Sequence, residues 1–174
     1  AKELGAHVIQ EKWRGFGKQK AFAAQQAKHD WILSLDADEA LSKELQEEIL
    51  ARFASLDPMT GYRLPRLSFH LGRWIRHGGW YPDYQLRLFH RQHSRWSEVE
   101  LHEKVEAQKT SNFKNPIHHW VFEGVSDQVK TNDKYSSLSA QELFNKGKRF
   151  SYLKLIFKPY FKFLETYFWK GGFR

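Results

Sequence analysis

This sequence predicts an α/β domain, and three stretches in succession predict it. Residues 17–28 (GKQKAFAAQQAK) are rich in helix formers, with Phe22 and Gln26 on one line and Ala23 and Ala27 beside them, a small-residue face suited to close packing on a sheet. Residues 31–35 (WILSL) form a short, nearly all-apolar strand, as expected where helices cover both faces of a sheet. Ser42 can then cap a second helix in which Leu45, Ile49 and Phe53 recur every fourth residue until Asp57-Pro58 ends it. In open α/β sheets ligands bind beyond the carboxyl ends of strands, which is where Asp36, Asp38 and Glu39 fall.

The other segments follow from the same local rules. The opening AKELGAHVIQ reads as a helix end capped by Gly5 and then a strand over 6–10, like the middle of a fold that has lost preceding elements. GYRLPRLSFHL and YQLRLFHR alternate like strands, with Pro65 marking a bulge or an edge. Between them LGRWIRHGGWYPD reads as a long aromatic and cationic loop broken by glycines. Residues 126–146 look helical and fairly polar. Two regions result: residues 1–150 as the main domain, and 151–174 as a basic aromatic tail in which Lys154, Lys158, Lys162 and Lys170 interrupt apolar residues and Pro159 kinks the helix. That tail suits an amphipathic element on an anionic membrane; alternatively it is a terminal helix buried against the body or a partner.

Composition limits the chemistry. The 174 residues are enough for one ordinary domain. The absence of cysteine excludes a disulfide scaffold, a cysteine nucleophile and thiolate zinc sites. No apolar run is long enough to span a bilayer. A formal net charge of +8 and a pI near 9.6 point to an anionic partner: nucleotide phosphates, a membrane surface or nucleic acid.

Against that positive background the acids at 36–39 stand out. In an extended segment side chains two apart point the same way, so Asp36 and Asp38 can face one ligand across Ala37. Two hard oxygen donors there can hold Mg²⁺ or Mn²⁺ bridged to a diphosphate, with Glu39 supporting them or opening the next helix. Surface acids before a helix also occur without any metal. In ELHEKVE, Glu103 beside His102 can act as a general base, or is one surface acid among Glu98, Glu100 and Glu106. The loop carrying Arg73, Trp74, Arg76, His77, Trp80, Tyr81, Asp83 and Arg87 can hold a sugar by stacking and hydrogen bonds, or is a solvated loop pinned by its tryptophans.

Taken in order, WRGFGKQKAFAAQQAKHDWILSLDADEALS, GWYPDYQLRLFHR, ELHEKV and IHHWVFEG resemble the family 2 glycosyltransferases, and among them small bacterial enzymes that add glucose or a related sugar to lipopolysaccharide or lipooligosaccharide cores. The resemblance implies the GT-A fold, a Rossmann-like mixed sheet, here N-terminally incomplete. It implies an inverting, metal-dependent hexosyl transfer from a nucleoside-diphosphate sugar to a lipid-linked core saccharide, on the cytoplasmic side and peripheral to the inner face of the cytoplasmic membrane, with no nucleic-acid partner. By the same resemblance Asp36 and Asp38 bind metal, and together with Arg87 and His118 (or its neighbour His119) the donor diphosphate. Glu103 takes the acceptor proton, and Arg76, Trp80, Tyr81, Asp83 and His102 face the acceptor. Ala21 stands where related sequences often carry Asn, so a ligand contact from that position is absent. Two rival classes remain at this stage: a basic membrane-surface or nucleic-acid binding module, and another metal-dependent enzyme acting on a nucleotide diphosphate.

Overall fold

A computed structural model describes residues 2–97 and 103–174. In chain order its elements are α1 (Phe16–Gln25), β1 (Trp31–Leu33), β2 (Glu39–Leu41), α2 (Lys43–Arg52), β3 (Thr60–His70), β4 (Arg73–Ile75), β5 (Asp83–His90), β6 (Ser94–Trp96), β7 (Val105–Ala107), β8 (Lys109–Asn112), β9 (Ile117–Trp120), α3 (Val125–Asn145) and α4 (Tyr152–Leu164). A π-helical turn, Glu165–Trp169, continues α4. Parallel pairing of β3 with β9, beside antiparallel pairs elsewhere, makes this the mixed α/β architecture expected. Among the described residues no helix is long and apolar enough to cross a membrane.

The chain gathers into two units. The first comprises Ala1–Ser34, Ser55–Arg63 and Leu86–Ser111. In it β1 runs antiparallel to β5, with Ile32 opposite Phe89, and β6 pairs with β7, with Trp96 opposite Val105. These four side chains form its core, and Ala21, Ala24 and Ala27 pack against them. Alanines spaced three apart share one helical face and leave no bulk to hold α1 away, so the small-residue face predicted from the sequence forms, though Ala21 and Ala24 rather than Ala23 build it. The strand expected at 6–10 does not form: Val8 and Ile9 are exposed, and an extended segment becomes a strand only where a neighbour accepts its backbone hydrogen bonds.

The second unit comprises Leu35–Ala54, Leu64–Gln85 and Asn112–Arg174. Here β9 lies between β3, parallel, and β2, antiparallel, over a core that includes Leu45, Leu64, Leu67, Phe113 and Ile117. Pro65, expected at an edge or bulge, is fully buried within the eleven-residue β3. Part of the expected loop is strand instead. Leu71 and Gly72, both at positive φ, make a two-residue turn that pairs His70 with Arg73 and folds β4 back on β3.

Helix α2 begins as predicted, the Ser42 hydroxyl accepting the Leu45 N–H at 3.1 Å. Its apolar stripe is used unevenly, because Leu45 is buried while Phe53, in a tighter following turn, is half exposed. Glu48 anchors the helix flank by accepting the backbone N–H groups of Lys114 and Asn115. Burial alone would raise that carboxyl's pKa, but these N–H donors and the Arg52 guanidinium outweigh it and hold the value below the ordinary one. At the far end of the unit α4 runs through Pro159 and buries none of its residues.

Candidate active site

Strand register assembles the acidic end of the second unit. Glu39 lies opposite His119 across the β2–β9 pair, and Ser68 lies beside His119 across the β3–β9 pair. Side chains in lateral register project from the same face of a sheet, so three strands bring a carboxylate, an imidazole and a hydroxyl into one row. Arg66, two residues before Ser68, shares that face.

The acids are presented by a turn, and the extended geometry expected for them is replaced. The Glu39 N–H donates to the Asp36 carbonyl at 3.0 Å, while the Asp36 N–H donates to the Glu39 carboxylate at 3.0 Å. Glu39 thereby closes the turn from both directions. Its side chain is fully buried, begins β2 and not α2, and also lies 3.6 Å from Arg66. Arg66 in turn donates through Nε and Nη2 to Asp83, at 3.0 and 2.6 Å. A buried carboxylate is costly unless its lone pairs are matched, and here a backbone N–H and a guanidinium match them.

Asp38, at the outer side of the turn, is half exposed. Its Oδ2 lies 3.3 Å from His119 Nε2, and His119 Nδ1 lies 3.3 Å from the Ser68 hydroxyl. Burial first, and then Arg66, lower the His119 pKa against the opposing pull of Asp38 and Glu39. The neutral ring suits a relay in which Nε2–H donates to Asp38 and Nδ1 accepts from Ser68. Among the described residues no three carboxylates and imidazoles converge as a closed metal cage. The donor set nevertheless fits Mg²⁺ or Mn²⁺ in the manner those ions prefer, through one or two carboxylates at the turn with water and substrate phosphate completing the shell.

Of the two adjacent histidines, His118 tilts its ring against Trp74 at 4.4 Å, and it is His119 that reaches Asp38. The aromatic and cationic residues lie around a second opening in the same unit, a cavity of about 360 Å³ lined by His70, Arg73, Trp74, Arg76 and Trp80, with Arg174 from the tail. Trp80 stacks on His70 at 5.7 Å and 11°, and the Arg76 guanidinium lies 5.8 Å from the Tyr81 ring centre. Asp83 serves Arg66 and accepts from Gln85. The tail closes this opening: Gly78 N–H donates to the Lys170 carbonyl at 2.8 Å, and Glu165 holds both Lys162 and Lys170, at 3.0 and 2.6 Å. Those two ammonium groups, Lys170 first, keep the Glu165 carboxyl below its ordinary pKa.

The remaining candidates belong to the first unit or lie outside the described residues. Glu103 pairs with Lys20 at 3.1 Å, and the Lys20 ammonium sits 5.1 Å from the Trp96 ring centre. Arg87 is buried in β5. His102 lies outside the described residues. Sequence reasoning missed Arg66, Ser68 and His70 altogether. A charged residue inside an otherwise apolar strand, as Arg66 is in RLPRLSF, was the one available signal, since such residues are rarely buried without a partner.

Comparison with known proteins agrees with this architecture. The chain is 32% identical over 172 residues, 94% of its own length and 62% of the relative's, to the lipopolysaccharide core biosynthesis glycosyltransferase LpsC of Rhizobium meliloti. An uncharacterized glycosyltransferase of Rickettsia typhi matches at 31% identity over 180 residues, 97% of this chain and 62% of that protein. A third, from Rickettsia bellii, matches at 31% over 182 residues, covering 97% and 61%. The chain thus spans about three fifths of the length of these curated relatives. Residues 1–114 match the profile described as Glycosyl transferase family 2, and the chain belongs to that family.

Proposed function

We propose that the protein transfers a hexosyl group, glucosyl in the first instance, from a nucleoside-diphosphate sugar to a lipid-linked core saccharide, with inversion at the anomeric carbon. The observation that carries this reading is the locked turn at Asp36–Glu39 in a family 2 chain: a half-exposed aspartate held by His119, itself braced by Ser68, beside a buried Glu39 that Arg66 links to Asp83. The name of the Rhizobium meliloti relative supports a core saccharide as acceptor.

In this reading Asp36 and Asp38 hold Mg²⁺ or Mn²⁺, which when bound supplies positive charge to the departing diphosphate. His119 and Ser68 orient Asp38, and Glu39 fixes the turn that carries both aspartates. The acceptor hydroxyl oxygen forms the new bond to the anomeric carbon as the bond to the diphosphate oxygen breaks, and its proton goes to a carboxylate. The family resemblance assigns that proton to Glu103, which in the first unit pairs with Lys20 at 3.1 Å. Helix α4 exposes Tyr152, Leu155, Phe157, Tyr160 and Phe161 among lysines, which supports docking on an anionic membrane surface on the cytoplasmic side, where a lipid-linked acceptor would be met.

The test is a donor and acceptor screen with the full-length protein, read by mass spectrometry with anomeric analysis of the product by NMR. A glycosylated acceptor of inverted configuration is expected. D38N should lower turnover at least a hundredfold, on the order of 3 kcal/mol, and should abolish dependence on added Mn²⁺. Donor consumed equally fast without any saccharide would replace the reading with nucleotide-sugar hydrolysis. Flotation with vesicles containing anionic lipid tests the membrane contact, and F157S/F161S should lose it.

A further inference from the structure

The geometry points to an anionic sugar as the unit held in the cavity between β4 and the tail, which narrows the acceptor class and rests on the transfer reading above. Three guanidiniums, Arg73, Arg76 and Arg174, line this cavity of about 360 Å³, and among the described residues no Asp or Glu lines it with them. Among the described residues none of the three is in an ion pair with an acid, in contrast to Arg66, Arg52 and Arg91, each of which is. Arginine clusters without internal counter-ions are the usual recognition element for phosphate and carboxylate, because the planar fork matches two oxygens at once.

A second observation is independent of charge. His70 is about nine-tenths buried, lines the same cavity, and among the described residues its Nδ1 has no hydrogen-bond partner. An orphaned buried ring nitrogen is rare, and a small shift of the His70 ring toward the cavity would let a hydroxyl of a bound sugar complete it. Trp74 and Trp80 add apolar faces of the kind on which sugar rings stack, and the volume falls within the range of small-ligand pockets. Guanidiniums, an unsatisfied buried polar atom and indole faces in one opening select for a sugar bearing a charged group over a neutral one.

The tail is a wall of this site. Thr166 and Gly172 line it, Gly172 N–H donates to the Thr166 carbonyl at 3.0 Å, and a Cβ on Gly172 would lie 2.8 Å from that oxygen. The site is therefore built by a close backbone contact that only a residue without a side chain permits.

The measurement is tryptophan fluorescence titration of the full-length protein, without donor or metal, against glucose 6-phosphate, glucuronate and glucose. Glucose 6-phosphate or glucuronate should bind at least tenfold more tightly than glucose, and R73Q/R76Q should remove that advantage, about one charge-assisted contact's worth. Preference for the phosphate or for the carboxylate identifies which anion the acceptor carries. Arg73 and Arg76 are exposed, so the double variant keeps its fold, and a thermal melt checks this. Equal binding of all three sugars, or an unchanged preference in R73Q/R76Q, overturns the proposal. The two readings fail separately. A protein that binds glucose 6-phosphate here but transfers no sugar loses the transfer reading and keeps the site. One that transfers sugar with an acceptor KM unchanged in R73Q/R76Q loses the site and keeps the transfer reading.

Discussion

The acid turn and the arginine-lined cavity belong to the same unit and are both rich in charge, yet they are built on opposite plans. At the turn nearly every polar atom is answered within the protein: Glu39 by the Asp36 N–H and Arg66, Arg66 by Asp83, Asp38 by His119, and His119 by Ser68. Around the cavity, among the described residues, Arg73, Arg76 and Arg174 have no acid of their own and His70 Nδ1 has no partner. A satisfied network holds a shape, whereas an unsatisfied set waits for a ligand to complete it. The turn is thus a fixture and the cavity a receptor, and substitutions should separate the two.

The largest effect is expected at the centre of the fixture. E39A leaves the Asp36 N–H and Arg66 without their carboxylate and should destabilise the protein by about 3 kcal/mol, read from the denaturant midpoint. S42A removes only the cap that starts α2 after the turn and should cost about 1 kcal/mol by the same measurement. A smaller effect follows from His119. Because its pKa is lowered in the fold, the unfolded chain takes up the proton first as pH falls. Stability should therefore decline below the ordinary imidazole range, and H119Q should flatten that decline. At the receptor the prediction is near silence: R73Q/R76Q should change stability by less than about 0.5 kcal/mol, since both side chains are exposed and carry no ion pair among the described residues. A large loss there, or none at Glu39, would dissolve the contrast.

What could be read from the sequence divides along the same line. The strand before Asp36, the Ser42 cap, the helix over 126–146 and the amphipathic tail depend on neighbours within a few residues, so local periodicity revealed them. The partners of the acids do not. Arg66 meets Glu39 from 27 residues further along the chain, and His119 meets Asp38 from β9, pairings set by which strands lie side by side. Choosing between His118 and His119 required the same knowledge, because adjacent strand residues face opposite ways. The strand expected at 6–10 shows the converse: an apolar pattern without a partner stays extended and exposed. Leu71-Gly72 was misread as part of a loop because its turn geometry lies in backbone angles and not in any hydrophobic pattern.

Pro159 has a consequence for where α4 can lie. Without an N–H at that position the Leu155 carbonyl loses its helical donor one turn earlier. In water that oxygen is hydrated at little cost, but in hydrocarbon it would stand bare at a cost of several kcal/mol. On the proposed lipid surface the proline therefore acts as a float: it sets a limit to immersion, keeping the helix at headgroup depth with Lys162 still able to hold Glu165.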